Sequence, residues 1–189
     1  MNKIALAMIC RGTGEELINL RRALESIYKF VDAIYITLTA PKEQLADAEK
    51  VCQEFGVVVS YNEALWTADE KVITWLKEFF GYDPHLKAGD NLFLFDEARN
   101  FNFSQVPKEY EWIIWMDTDD VFRNGEKLKS TLELGKKGDF EAFYLNYLYQ
   151  VELAGEFCEE CNQKVTVHNR KIKHIIIKHL RERIIRNNG

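Results

Sequence analysis

Apolar residues along this chain form short continuous runs that alternate with stretches of helical spacing. The run at 3–9 is continuous, as expected for a strand that is covered on both faces of a sheet. Apolar positions over 17–28 and 41–55 recur every three or four residues and predict helices, while runs at 33–38 and 57–59 predict strands. Strands that alternate with helices in this way predict a parallel sheet with helices on both faces.

The pattern continues beyond residue 60 with longer elements. The predicted elements are helices at 69–80, 92–103 and 125–134 and strands at 111–116, 140–151 and 164–185. The predicted fold class is therefore α/β, with a Rossmann-like, mostly parallel central sheet flanked by helices and a β-rich C-terminal portion. Ligands bind such sheets beyond the carboxyl ends of the strands. Thr13 and Glu16 have the spacing of a capping box, which predicts that they cap the first helix.

Composition narrows the class of protein. The chain has 189 residues, of which 47% are hydrophobic and 29% charged, as in an ordinary globular domain, and we expect one domain over 1–189. The net charge of −5 argues against a nucleic-acid partner, because such proteins usually carry a basic surface. No apolar stretch approaches the roughly 20 residues of a transmembrane helix. The run at 4–10 lacks the cleavage site of a signal peptide. We therefore expect a soluble, cytoplasmic protein.

The predicted strand at 111–116 ends in a cluster of acidic residues. Asp117, Asp119 and Asp120 place three carboxylates within four residues at the carboxyl edge of the sheet. Like charges this close are costly unless a cation compensates them. Mg²⁺ and Mn²⁺ prefer oxygen ligands, and a metal held here would neutralise a leaving diphosphate as a Lewis acid. The alternative is an acidic loop that caps the helix at 125–134.

A single arginine lies 18 residues before the acidic cluster. Arg99 falls in the predicted helix at 92–103, within Glu97-Ala98-Arg99-Asn100. Its planar fork can bind a phosphate or a carboxylate through two parallel hydrogen bonds, and the carboxylate of Asp117 or Asp119 is one such partner. The alternative is an arginine that extends from the helix into solvent.

The cysteines and the basic tail leave further alternatives open. Cys158 and Cys161, with His168 downstream, form either a zinc site or a loop with two free thiols, and a structural zinc would need four ligands. Cys10 and Cys52 lie in predicted core elements, where cysteine behaves as a small hydrophobe. The basic stretch at 171–186 either binds an anionic acceptor or lipid headgroups, or is the solvated face of an edge strand.

Four blocks, in order, resemble the family 2 glycosyltransferases, which are inverting enzymes with the GT-A fold. The first strand and helix (4–24) and the start of the second strand (30–34) resemble the family's corresponding elements, though with little specificity. Residues 95–100 resemble the family's Ala-Arg-Asn block, and 111–120 resembles its fourth strand with the Asp-x-Asp motif. The last two blocks are the specific pair, and the resemblance covers roughly residues 3–135.

The resemblance implies a transferase that takes a nucleoside-diphosphate sugar, with UDP as the usual nucleotide, and moves the sugar to an acceptor hydroxyl with the help of Mn²⁺ or Mg²⁺. The acceptor is a saccharide, a lipid-linked molecule or a protein. Residues 1–120 would form the nucleotide-binding half and 121–189 the acceptor-side half. Asp119 would be the leading metal ligand and Asp120 a second one. The residues that the resemblance places at the nucleotide are Cys10, Arg11, Thr39, Arg99, Asp117 and Thr118.

Two departures from the family pattern affect the expected function. Thr37-Leu38-Thr39 stands where the family usually has an Asp that reads the nucleobase, so base selection is left to the backbone at 9–11 and to Thr37 or Thr39. The family's catalytic base follows a strand that the tail resembles, so the base either follows Gly189 or lies elsewhere, with Glu156, Glu159 and Glu160 as candidates. Two rival functions stay open, which are a nucleotidyltransferase of similar fold and an inactive nucleotide-sugar-binding module.

Overall fold

The structure, a computed structural model, describes residues 3–81, 86–153 and 172–188. The elements in chain order are β1 (Ile4–Cys10), α1 (Glu16–Ile27), β2 (Ala33–Leu38), α2 (Ala46–Glu54), β3 (Val58–Tyr61), β4 (Leu65–Thr67), α3 (Glu70–Phe80), β5 (Asn91–Phe93), α4 (Phe95–Ser104), β6 (Trp112–Met116), α5 (Leu128–Lys137), β7 (Ala142–Leu153) and β8 (Ile172–Arg186). Short 3₁₀ turns at Lys42–Gln44 and Gly125–Lys127 precede α2 and α5.

The central sheet has six strands in the order β3-β2-β1-β6-β8-β7. Strands β3, β2, β1 and β6 are parallel to one another, and β8 runs antiparallel to both β6 and β7. Strands β4 and β5 form a separate antiparallel pair. The predicted α/β class with a mostly parallel central sheet is therefore confirmed.

Side-chain size on β1 explains how helices cover both faces of the sheet. Ile4, Leu6 and Met8 lie in the main core cluster, together with residues of α1 and α2. Ala5 and Ala7 point to the opposite face, where they pack with Val106 and its neighbours near α4. Because successive strand residues alternate between faces, large residues fill the first interface and alanines allow a close approach at the second.

Asn102 joins α4 to β2 within this second interface. Its side chain is fully buried, and Nδ2 donates to the Tyr35 carbonyl at 3.2 Å and to Thr37 Oγ1 at 3.0 Å. Thr37 Oγ1 also lies 2.8 Å from Ser60 Oγ on β3. These bonds fix the position of α4, and hence of Arg99 one turn earlier, relative to the carboxyl ends of the strands.

Several sequence-based predictions need correction. Thr13 and Glu16 do not form a capping box, because α1 begins at Glu16 without a side-chain cap and the Glu16 carboxylate accepts a hydrogen bond from Thr118 instead. The helix predicted from 92 begins at Phe95, since Asn91–Phe93 pairs with β4. The basic tail does not form an edge strand, because β8 lies between β6 and β7.

Other predictions fall where the structure gives no test. Cys158, Cys161, His168 and the candidate bases Glu156, Glu159 and Glu160 lie outside the described residues. Within the described part of the chain, no helix is both long enough and apolar enough to cross a bilayer.

We expect Asn102→Asp to destabilise the fold by at least about 2 kcal/mol at pH 7, because the substitution replaces a buried donor with a charge facing two acceptors. Asn100→Asp is the matched control, since Asn100 is exposed one half-turn away on the same helix. Urea unfolding of both variants measures the difference. An equal, small effect in the two variants would contradict the role of Asn102 as the anchor of α4.

Candidate functional site

A cleft of about 910 Å³ opens at the carboxyl edge of the sheet. Its floor is formed where β1, β2 and β6 end, and one side is formed by β5 and the start of α4. The lining residues are Ile9, Cys10, Arg11, Glu16, Asn19, Thr39, Ala40, Pro41, Gln44, Leu65, Asn91, Phe93, Phe95, Asp117, Thr118 and Asp119. The volume lies within the roughly 300–1,000 Å³ typical of small-molecule sites, and the position is where open α/β sheets bind ligands.

The structure brings the sequence-predicted site residues together at this cleft. Those that line it are Cys10, Arg11, Thr39, Asp117, Thr118 and Asp119. Arg99 and Asp120 do not line the cleft and instead contact Asp117 from behind. Residues from three strand ends and one helix therefore converge, although they are spread over 110 positions of sequence.

The Asp117 carboxylate is held between two arginines. Arg99 Nη2 donates to Oδ1 at 2.9 Å, and Arg183 Nη2, from β8, donates to Oδ2 at 3.2 Å. Both arginine side chains are largely buried, with 10% and 4% of their surfaces exposed, whereas that of Asp117 is 31% exposed. Each carboxylate oxygen is thus fixed by its own guanidinium, and the exposed part of Asp117 faces the cleft.

Trp115 supports both arginines through its ring. The guanidinium carbons of Arg99 and Arg183 lie 4.1 and 4.0 Å from the Trp115 ring centroid, and Arg99 lies 4.9 Å from the Phe95 ring. Arginine stacks favourably on aromatic faces, and more so where water is excluded. Burial lowers the pKa of Arg99 while the hydrogen bond to Asp117 opposes that change, and the group remains charged because arginine does not deprotonate in proteins.

Asp120 belongs to the frame of the turn. Its Oδ2 accepts a hydrogen bond from the Asp117 backbone N–H at 3.0 Å and lies 3.3 Å from Arg183 Nη2. The Asp120 N–H in turn donates to the Asp117 carbonyl at 3.1 Å. These contacts close the turn after β6 and so determine the direction of the Asp117 side chain.

Thr118 and Asp119 complete the acidic edge. Thr118 is buried and donates to Glu16 Oε1 at 3.0 Å, which links the turn to the first residue of α1. Arg22 Nη2 donates to the backbone carbonyl of Asp119 at 3.3 Å, while the Asp119 side chain is exposed on the cleft. Asp119 is consequently the acidic residue of this turn that presents its carboxylate most openly to a ligand.

Arg99 and Arg183 supply positive charge at the acidic cluster, where the sequence predicts a metal ion. Two of the three clustered carboxylates, Asp117 and Asp120, already have Arg183 and Arg99 as compensating cations. Within the described residues, no three His, Cys, Asp or Glu side chains converge so that they alone could hold a metal ion. Asp119 fits the other arrangement, in which Mg²⁺ or Mn²⁺ is bound by one or two carboxylates together with substrate phosphates.

The residues predicted to read the nucleobase differ in whether they reach the cleft. Thr37 is fully buried, faces α4 through its bond to Asn102 and does not line the cleft. Thr39 lines the cleft and holds the Cys10 carbonyl through its N–H at 2.9 Å. Cys10 is almost fully buried, and burial raises the pKa of its thiol, so this residue borders the cleft as an apolar group.

Two features of the site are not evident in the sequence pattern, namely Arg183 and an apolar wall of the cleft. Arg183 was part of the basic tail, and nothing in the local pattern distinguishes it from its neighbours. An apolar wall of Leu65, Phe93 and Phe95 lines the cleft, with the two phenylalanine rings 6.3 Å apart and each of the three side chains 41–52% exposed. Leu65 and Phe93 lie on three-residue strands that are too short for periodicity to reveal, and Phe95 follows as the first residue of α4. Exposed aromatics next to a cleft are nevertheless a usual feature of ligand sites.

Comparison with known proteins places the fold. No protein-family model matches the chain, and no curated protein matches its sequence. Among solved structures, the crystal structure of 4-diphosphocytidyl-2C-methyl-D-erythritol synthase from Anaerococcus prevotii is similar, with a TM-score of 0.50. The match has 9% sequence identity and covers 98% of this chain and 70% of that chain. At that identity the likeness is one of fold alone, and it agrees with the Rossmann-like α/β architecture of the central sheet.

Proposed function

We propose that this chain is a nucleotide-dependent transferase that moves a sugar from a nucleoside-diphosphate donor to an acceptor hydroxyl. The observation that carries the proposal is the placement of Asp117 and Asp119 at the end of β6, on a cleft that the ends of β1 and β2 also border. The ordered pair of Ala-Arg-Asn and Asp-x-Asp blocks, which resembles the family 2 glycosyltransferases, favours glycosyl transfer among the reactions this fold supports.

The charges of the described lining residues indicate how a donor would lie. Arg11 is the cationic side chain among them, and Glu16, Asp117 and Asp119 are the anionic ones. Glu16 occupies the first turn of α1, so the N-terminus of that helix is already faced by a carboxylate and does not favour a phosphate. A diphosphate is therefore better accommodated near Asp119, together with a divalent cation, than at the N-terminus of α1. The nucleoside would then lie toward Thr39 and Gln44.

A divalent metal in this arrangement would be held by Asp119 and by oxygens of the donor diphosphate. Asp117 and Asp120 are less suited as ligands, because arginine already engages their oxygens. When bound, such a metal would supply positive charge to the leaving diphosphate. Asp117, whose exposed part faces the cleft, is suited to accept a hydrogen bond from a hydroxyl of the donor.

In the proposed reaction the acceptor oxygen forms a bond to the anomeric carbon as the bond from that carbon to the diphosphate breaks. The electron pair leaves with the nucleoside diphosphate, and the acceptor proton passes to a base. The sequence candidates for this base, Glu156, Glu159 and Glu160, lie outside the described residues. The apolar wall of Leu65, Phe93 and Phe95 is suited to pack against the ring face of a sugar or another apolar group.

The second candidate function is nucleotidyl transfer, which the likeness in fold to a synthase of the nucleotidyltransferase class favours. In that reaction an acceptor phosphate attacks a nucleoside triphosphate and pyrophosphate leaves. Such enzymes usually carry a Gly-rich, basic loop after the first strand. Here the loop has Gly12 and Gly14 with one basic residue, Arg11, and two acidic residues follow it. The acidic composition of this loop favours glycosyl transfer.

The function is tested by a nucleotide screen followed by product analysis. A ligand that binds only the folded state raises stability by about 2.7 kcal/mol at a hundred times its Kd, so at least one nucleoside diphosphate should raise Tm when Mn²⁺ is present. With no Asp at the end of β2, we expect a graded and not an exclusive preference for UDP. Release of nucleoside diphosphate from a nucleotide-sugar supports glycosyl transfer, and release of pyrophosphate from a triphosphate supports the second candidate. Binding without turnover would indicate an inactive binding module.

We expect Asp119→Ala to abolish the Mn²⁺-dependent part of nucleoside-diphosphate binding and to leave Tm unchanged. The reason is that the Asp119 side chain is exposed on the cleft and contributes to the site and not to the core. Asp96→Ala, at an exposed position on α4 that does not line the cleft, is the control. Calorimetry with and without Mn²⁺ makes the comparison. Equal Mn²⁺ dependence in the Asp119 variant and the parent would remove Asp119 from the proposed metal site.

We expect Arg99→Lys to keep the charge but to lose the hydrogen bond that orients Asp117, which is worth about 1.5–3 kcal/mol, and so to weaken nucleoside-diphosphate binding by up to that amount. Lysine cannot both reach Asp117 Oδ1 and stack on Trp115. Arg21→Lys is the control, because Arg21 makes two bonds to Glu54, at 2.6 and 2.9 Å, and does not line the cleft. Calorimetry should show a loss for Arg99→Lys alone. Similar affinities in both variants would make the Ala-Arg-Asn match coincidental.

A further inference from the structure

We propose that Arg183, on β8, is a positioning residue for the cleft, which acts by holding the Asp117 carboxylate in the orientation that meets the donor. The proposal rests on the proposed function in one respect only, namely that the cleft binds a nucleotide. Arg183 itself does not line the cleft, so it acts on a ligand through the side chains it contacts, and among Asp117, Asp120 and Trp115 only Asp117 lines the cleft.

The contacts of Arg183 are those of a built clamp. Its side chain is 4% exposed, and its Nη2 lies 3.2 Å from Asp117 Oδ2 and 3.3 Å from Asp120 Oδ2. The same guanidinium lies 4.0 Å from the Trp115 ring centroid. One arginine thus contacts both acidic side chains that shape the turn after β6, together with the last aromatic side chain of that strand.

Two arginines on one carboxylate fix its rotation as well as its charge. Arg99 takes Oδ1 and Arg183 takes Oδ2, so Asp117 cannot turn about its terminal bond without losing one of the two. A carboxylate has about four lone-pair sites, so those that the arginines leave remain for a ligand in the cleft. The two arginines match the two carboxylates, Asp117 and Asp120, in charge, and their separate bonds to Oδ1 and Oδ2 also give Asp117 a fixed direction.

Burying the Arg183 guanidinium is energetically unfavourable, and the packing of the sheet does not require a charged residue at this position. Removing an arginine from water is unfavourable, and an ion pair in the interior is often no more stabilising than well-packed apolar residues. A Leu or Ile at this position would continue the apolar pattern of Ile184 and Ile185 on the same strand. The charged residue is therefore better explained by its effect on Asp117 than by the stability of the sheet.

The position of β8 makes the clamp a link between the two halves of the chain. β8 pairs antiparallel with β6 through Ile113 with Ile185 and Ile114 with Ile184. Arg183 precedes Ile184 in the chain. Because β8 is antiparallel to β6, Arg183 lies beyond the last of these pairs, toward the carboxyl end of β6. The segment beyond residue 121 thereby contributes a side chain to the geometry of the nucleotide-binding half.

The test compares Arg183→Lys with Arg186→Lys. Arg186 is a matched control on the same strand, because it pairs with Asp139 at 2.8 Å and lies 5.2 Å from the Trp112 ring, remote from the cleft. The probes are UDP and CDP in the presence of Mn²⁺, measured by calorimetry. We expect Arg183→Lys to weaken binding at least tenfold and Arg186→Lys to change it less than twofold. If Arg183→Lys does not fold, Arg183→Gln takes its place with the same expectation.

A second arm separates positioning from a merely structural role. In an Asp117→Asn background, Arg183→Lys should change nucleotide affinity less than twofold, because the carboxylate that Arg183 orients is gone. Parent-like affinity of Arg183→Lys, or an equal loss in the parent and Asp117→Asn backgrounds, would overturn the proposal.

Absence of nucleotide binding in the parent protein would count against the proposed function, and the clamp would then be decided by unfolding. Urea midpoints of the parent, Asp117→Asn, Arg183→Lys and the double variant form a cycle, and Asp117→Asn with Arg186→Lys forms the control cycle. The clamp is supported when the effects of Asp117→Asn and Arg183→Lys on stability are not additive while those of the control cycle are. The reason is that contacting residues couple and distant ones do not. Additivity in both cycles would overturn it.

Discussion

The Asp117 carboxylate and its two arginines form the interaction on which the acidic edge of the cleft depends. Arg99 and Arg183 are buried charges, and a charge removed from water needs an anionic partner. Asp117 and Asp120, in turn, would repel each other at this distance without a cation between them. The two requirements meet in one cluster, which is closed by the Trp115 ring and by the backbone bonds of the turn. Removal of any one charge leaves the others uncompensated, so the cluster behaves as a unit.

This cluster joins three segments that are distant in sequence. Arg99 is on α4, Asp117 follows β6, and Arg183 is on β8, 66 residues further along. The sheet order brings them together, because β6 lies between β1 and β8, while α4 packs against β1 and β2. Asn102 then holds α4 at the depth at which Arg99 reaches Asp117. The geometry of the cleft is therefore a consequence of the topology of the sheet, with local sequence deciding only which residue stands at each strand end.

Local sequence was sufficient wherever the decisive forces are local. The strand at 33–38 has the predicted bounds, and the site residues at the ends of β1, β2 and β6 meet as parallel strand ends must. It was insufficient where a partner comes from a distant segment. Arg183 looks like its basic neighbours until β8 is known to lie inside the sheet, and Glu16 fits a capping box until Thr118 is placed beside it. The short strands that carry Leu65 and Phe93 have no periodicity to detect.

Arg99 and Arg183, and not a metal ion, compensate most of the negative charge at the end of β6. Three carboxylates in four residues predicted that a cation compensates them, and Arg99 and Arg183 supply that compensation for two of them. Asp119 and Glu16 remain on the cleft with Arg11 as the cation among the described lining residues. A nucleoside diphosphate would add further negative charge to this surface, which a divalent ion shared between Asp119 and the phosphates would balance. On the proposed function, the need for a metal therefore arises from the donor and not from the folded protein, so metal and donor should bind together.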